Sequence, residues 1–249
     1  DTFSKKIRDA WAEVWVNSRL ASPITHAVNM AGNFTFNTLR IAEYGIAAGL
    51  NKIPGLSSKE GIMFNEVFQM IKSIKYGTKL GFVNARESFV TGQAASTKLD
   101  LRKPNAVGKK LLPEKYQDTF MGSALEMFGT YSRLPGRFLV AEDEFVKGIT
   151  YQMELERLAT RKYNQAIADG LSEDDAQKIF IKTVADPDSD VVKQAKDAML
   201  EGTFQKDLPP GVLSKAQSFF NIPEVKLFVP FYKTIMNIFM ESNKRNPIM

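Results

Sequence analysis

The sequence predicts an all-α fold, an extended multi-helix bundle with Pro/Gly hinges. Three observations predict it. Apolar residues recur at three- and four-residue intervals along most of the 249 residues. No long stretch alternates with period two, so there is no candidate sheet. Pro54-Gly55, Pro135-Gly136 and Pro209-Pro210-Gly211 cut the helical pattern into segments. No internal repeat and no low-complexity segment interrupts it.

Ser22-Pro23 reads as an N-cap followed by Pro at the first helical position. The helix it opens is expected to reach about Leu50. It is rich in small residues and amides, among them Asn29, Gly32, Asn33, Asn37 and Gly45. Two readings stand: amides bonding across to neighbouring helices, or a helix weakened and kinked at its glycines. Asn51 to Leu56 is a turn. Ser57 and Glu60 then have capping-box spacing, and the next helix is expected to open there. Its apolar stripe is Met63, Val67, Met70 and Ile74, widened by Phe64, Phe68 and Ile71. It is expected to reach about Ala95, with Gly77, Gly81 and Gly92 as candidate breaks.

Lys98 to Lys110 is polar, contains Pro and Gly, and carries five bases and one acid, as a linker or partner-binding loop would. Pro113-Glu114 opens one helix through Tyr116, Phe120, Leu125 and Phe128. Arg133 to Arg137 is a sharp joint. The long helix after it carries Phe138, Ala141, Phe145, Ile149 and Met153 on one stripe, with Asp143 and Lys147 as an i,i+4 pair. Asp169-Gly170 ends it. Ser172 with Glu173, Asp174 and Asp175 restarts the chain as an N-cap with acids at the positive helix end. Asp186-Pro187 restarts it again. Residues 212–220 and 227–241 read as the final helices.

Charge divides the chain. Residues 1–110 hold 16 Lys/Arg and 8 Asp/Glu, giving +8; residues 111–249 hold 17 and 20, giving −3. The first is a basic helical segment, the second a mildly acidic one. Lys72, Lys75, Lys79 and Arg86 lie on one helix face, and Lys98, Arg102, Lys103, Lys109 and Lys110 follow in and beside the loop. These are the candidate contacts to phosphate, in DNA or lipid headgroups, and the alternative is an ordinary solvated face. Any such binding is expected in residues 1–110 and is expected to weaken steeply with salt. The longest uncharged run, between Arg19 and Arg40, holds too many amides to span a membrane.

No catalytic constellation assembles. The absence of Cys excludes a disulfide scaffold and a Cys nucleophile, and the single His, His26, reads as structural. Neither phosphate-binding glycine loops nor His-Glu-x-x-His occur. Asp186, Asp188 and Asp190 mimic the start of a calcium loop but lack its Gly and Glu, and Pro187 intrudes. Glu87-Ser88 resembles the catalytic dipeptide of lytic transglycosylases, yet the Gly-Leu-x-Gln segment that should follow is absent. The expectation is a non-enzyme with no cofactor and no metal. Asp1-Thr2-Phe3, without Met, leads us to expect a fragment of a longer polypeptide.

Three segments, in order, resemble a module of very large bacteriophage proteins. The first is Ser22-Pro-Ile-Thr-His-Ala-Val-Asn29 with Asn33. The second is Leu134-Pro-Gly-Arg-Phe-Leu-Val-Ala-Glu-Asp-Glu-Phe-Val-Lys147, carrying Arg137, Ala141, Asp143, Phe145 and Lys147. The third is Phe228-Val-Pro-Phe-Tyr-Lys-Thr-Ile-Met-Asn237, carrying Phe228, Pro230, Phe231 and Asn237. The module is found in the internal virion (ejection) proteins of short-tailed phages and in phage polyvalent proteins. The resemblance spans nearly the whole chain and makes residues 111–249 the phage-module segment.

It implies a viral protein of the capsid interior, in a portal-associated core. Such a protein forms a homo-oligomeric ring with other core proteins and the portal around DNA, and leaves during genome ejection for the host membrane or envelope. The resemblance equally admits a polyvalent-protein module with an antirestriction or DNA-protecting role. Physically, the matching residues read as architectural: polar groups at helical joints specify geometry.

Overall fold

A computed structural model describes residues 3–58, 61–95, 106–220 and 232–244. Among them every regular element is helical, so the fold is all-α. In chain order these are α1 (Phe3–Leu20), α2 (Pro23–Leu50), α3 (Phe64–Thr91), a 3-10 turn (Lys109–Leu111), α4 (Glu114–Gln117), α5 (Phe120–Ser132), α6 (Leu134–Ala168), α7 (Glu173–Ala185), α8 (Ser189–Gly202), α9 (Val212–Phe220) and α10 (Tyr232–Lys244).

The chain forms two compact units. The first comprises Asp1–Asn29, Ala85–Glu144 and Asp207–Met249, and the second Met30–Asn84 and Phe145–Lys206. The sequence division at residue 110 is one of charge; each compact unit draws on both sides of it.

Local chemistry sets most boundaries. α2 begins at Pro23, directly after Ser22, and runs unbroken through Gly32 and Gly45 to Leu50. α3 begins later than the Ser57 capping box implies. The helix opens at Phe64, where the Glu66 carboxylate accepts the Met63 N–H at 3.1 Å, while Glu60 lies outside the described residues. α3 ends at Thr91 because Gly92 supplies a positive φ of 70°. The single helix expected after Pro113 is two: Thr119 interrupts it and caps α5, its hydroxyl accepting from the Gly122 N–H at 3.4 Å. α7 opens on Ser172, which accepts the Asp175 N–H at 3.2 Å. α8 opens on Asp188, which accepts the N–H groups of Asp190 and Val191. The apparent calcium loop at Asp186, Asp188 and Asp190 is therefore a helix cap.

In the second unit, Met70, Ile149 and Met153 form a buried cluster, flanked by Ile41, Tyr44, Ile74 and Phe145. Burying each such side chain stabilises by roughly 1.5–3 kcal/mol. Leu155, Leu158, Val191 and Ala195 form another cluster, where α8 packs on α6. Glycine decides how closely α3 and α6 approach. A Cβ on Gly81 would stand 2.4 Å from the Phe145 carbonyl oxygen, and one on Gly148 would stand 2.6 Å from the Gly81 Cα. A Cβ on Gly77 would stand 2.8 Å from the Ile149 Cα. Gly77 and Gly81 are thus contact points in a continuous helix, not the breaks the sequence suggested. In the first unit the buried apolar side chains include Ala10, Ala12, Leu20, Val107, Leu139 and Val140.

Candidate functional site: two buried polar clusters

α6 is enclosed along most of residues 146–160, so the charges on that stretch face protein on every side. Glu154, Arg157 and Arg161 recur at three and four residues and share a sector of the helix. α2 adds Arg40 and Tyr44, and α3 adds Glu66. Arg157 grips Glu154 with two N–H groups: Nη2 donates to Oε1 at 2.7 Å and Nε to Oε2 at 3.2 Å. Its Nη1 donates to Glu66 Oε2 at 2.9 Å, and Arg161 Nε donates to the same oxygen at 3.2 Å. Arg40 reaches Glu154 Oε2 at 3.5 Å, and its guanidinium also donates to the Ala198 carbonyl and the Tyr44 hydroxyl, each at 3.2 Å. The Tyr44 ring receives both cations, with Arg157 5.1 Å and Arg40 5.5 Å from its centroid.

Burial alone would lower the pKa of Arg157; the hydrogen bond and charge of Glu154, with Tyr44 and Glu66, outweigh it and hold the guanidinium above its ordinary value. Arg40 behaves the same way, with burial opposed chiefly by Glu154 and Tyr44. Both carboxylates of the network are committed. Each oxygen of Glu66 and Glu154 receives a hydrogen bond or an ion-pair contact, and both residues are buried. Nothing in the cluster is open to accept a substrate proton. What it does chemically is fix the register of α2, α3 and α6 segments within the second unit. A turn along, Gln69 and Gln152 donate to the two oxygens of buried Glu156 at 2.6 and 2.8 Å. Thr150, also on α6, donates to Asn37 of α2 at 2.9 Å, a cross-helix bond of the kind the first of the two readings of that helix describes.

The first unit holds a different cluster. Glu13 and Asn17 are one turn apart on α1 and buried. Glu13 Oε2 accepts the Val107 N–H at 2.7 Å, and Arg133 Nη1 donates to the Val107 carbonyl at 2.8 Å. Arg133 and Glu13 meet at 3.4 Å. Asn17 Oδ1 accepts the Gly136 N–H at 3.0 Å, satisfying a donor in the first turn of α6. Gly129 is required here, since a Cβ would stand 2.2 Å from the Val107 carbonyl oxygen.

The sequence candidates fall as follows. Lys72, Lys75, Lys79, Arg86 and Lys110 are exposed. Lys109 pairs with Asp118 at 3.2 Å. Lys98, Arg102 and Lys103 lie outside the described residues, as do Phe228, Pro230 and Phe231. Arg137 donates to the Val90 carbonyl at 3.4 Å, bracing the end of α3. Asp143 and Lys147, the i,i+4 pair of the sequence, are both buried. Phe145 packs against Phe34 and Phe82, with centroids at 6.3 and 4.9 Å. Asn237 is buried on α10. Asn29 has a buried side-chain NH2 with no hydrogen-bond partner among the described residues, and the backbone N–H at the Arg133–Arg137 joint is satisfied by Asn17. His26 Nδ1 lies 2.9 Å from Glu142 Oε1, and its ring edge meets Phe138. Glu87 is exposed whereas Ser88 is buried, so the two side chains share no surface.

The sequence analysis did not single out Arg40, Glu66, Glu154 or Arg157. Among the described residues no group of His, Cys, Asp and Glu side chains could hold a metal ion, and no helix is long and apolar enough to cross a membrane. No family model, curated protein or solved structure matches the chain.

Proposed function

We propose that this chain is a structural component of a phage internal core or ejection assembly, delivered with the genome and helping to form the DNA conduit across the host envelope. The observation that carries the reading is the burial of the motif residues. Asp143, Lys147 and Asn237 lie inside the fold, and Phe145 sits in an aromatic contact. Residues so placed hold helices in register and have no route to a substrate, which supports architecture over chemistry. The two polar clusters support it further, because their charges are spent on one another and on the backbone. In this reading the chain works as a homo-oligomeric ring with other core proteins and the portal, and its basic first 110 residues face DNA or membrane.

Purified virions of a phage that encodes this chain test the proposal. Peptides of this chain in the particles, with density on the portal axis, are the expected result. Absence from the particles overturns it. A peptidoglycan-cleaving activity that Glu87→Gln abolishes would overturn the architectural part.

A further inference from the structure

One face of α3 within the second unit carries cations and large apolar groups together. Phe68, Ile71, Tyr76, Phe82 and Val83 are 61%, 47%, 56%, 64% and 63% exposed. Lys72, Lys75 and Lys79 stand among them, also exposed. At 3.6 residues per turn these positions share a sector of about 140°. The opposite side, with Val67, Met70, Ser73, Gly77 and Gly81, is buried, so the outer face is held in place by the fold. The sequence reading put Phe68 and Ile71 in the core stripe; their exposure is what makes this surface. Apolar area gathered on one water-facing helix marks an interaction site.

The charge pattern selects the partner. No Asp or Glu occurs between Val67 and Val83. None of the three lysines has an ion-pair partner among the described residues. The partner is therefore anionic. Phe68, Tyr76 and Phe82 carry rings, but Phe82 packs on Phe145 and the aliphatic Ile71 and Val83 stand among them, so the face is not the run of stacking rings of a single-strand nucleic-acid platform. It suits acyl chains instead. Tyr76 is amphipathic and suits the boundary between headgroup and acyl chain, and lysines on flexible stems reach phosphates while their neighbours dip inward.

We propose that this face of α3 docks on an anionic bilayer surface, with Lys72, Lys75 and Lys79 on lipid phosphates and Phe68 and Ile71 entering the headgroup layer. The binding is peripheral. It deepens the proposed function and rests on it only for which membrane is met.

Co-sedimentation of the 249-residue chain with vesicles tests it. Binding is expected to phosphatidylcholine mixed with phosphatidylglycerol, not to phosphatidylcholine alone, and is expected to fall with salt. The variant K72Q/K75Q/K79Q is expected to bind about a hundredfold more weakly. F68S/I71S should also bind more weakly, with circular dichroism and melting temperature unchanged in both variants. Undiminished binding by the triple lysine variant overturns the inference. So does an oligonucleotide that binds through the same lysines while the vesicles do not. Vesicle binding is read on the isolated chain and the core reading on virions, so either can fail alone.

Discussion

Arg133 in the first unit and Arg157 in the second are both buried arginines facing buried glutamates, and they are used differently. Arg133 and Glu13 bracket one residue: Glu13 takes the N–H of Val107 and Arg133 gives to its carbonyl. Among the described residues the Arg157 side chain makes no hydrogen bond to backbone; its three bonds go to Glu154 and Glu66. The difference follows from the local chain. Val107 lies in irregular structure, whose buried backbone groups need partners from elsewhere. α2, α3 and α6 satisfy their own backbone, so charges buried among them must satisfy one another. A buried ion pair therefore anchors a loop in one place and sets helix register in the other.

Substitutions can break or sharpen that contrast. Arg157→Met takes the shared cation from two buried carboxylates, leaving Glu66 with Arg161 and Glu154 with Arg40, and is expected to cost about 3 kcal/mol or more, read by urea denaturation. A loss near zero would show the network to be dispensable. Gly81→Ala is expected to cost about 3 kcal/mol, because the Cβ meets a backbone oxygen that no rotamer can move. Arg133→Met should cost less than Arg157→Met, about 2 kcal/mol, since Glu13 keeps its bond to the Val107 N–H. If Arg133→Met costs as much, the distinction between the clusters is wrong. Asn17→Ala leaves the Gly136 N–H unpaired and should cost about 1 kcal/mol.

The smallest effect lies outside both clusters. The hydrogen bond from Lys162, aided by the N–H groups of Val191 and Asp190, holds the exposed Asp188 carboxyl below the usual carboxylate range. Its folded pKa is thus below its unfolded one. The stability it adds is complete above about pH 4 and is lost as pH falls through the depressed folded value. Asp188→Asn keeps a cap but removes the charge, so its melting temperature should decline less on acidification than that of the parent chain.

What the sequence made legible were features with local causes. Ser22-Pro23 and Ser172 set helix starts through their own backbone and side-chain chemistry, and the structure places those starts there, whereas α3 stops at Thr91, short of the expected Ala95, at one of its three candidate breaks, Gly92. The split at Thr119 and the late start of α3 were not legible, because competing local signals stood within a few residues. Gly77 and Gly81 were misread because low helix propensity and close packing demand the same residue, and only the facing Phe145 and Gly148 tell them apart. The network at Arg157 was hidden for a related reason. Glu154, Arg157 and Arg161 at helical spacing look like a solvated face until α2 and α3 enclose them. The readable hint is that Arg40 and Glu66, distant in sequence, supply the missing charges.

The glycine contact between α3 and α6 also limits how those helices can move. Backbone lies against backbone, so a shift of one residue would drive Leu80 or Phe82 into the space Gly81 vacates. Creeping motion along the pair is blocked. An offset of four residues, about 6 Å along the axis, would return Gly77 to the place of Gly81 but would put Ser73 where Gly77 meets the Ile149 backbone. The Gly77 and Gly81 contacts together thus hold α3 and α6 at one axial register within the second unit.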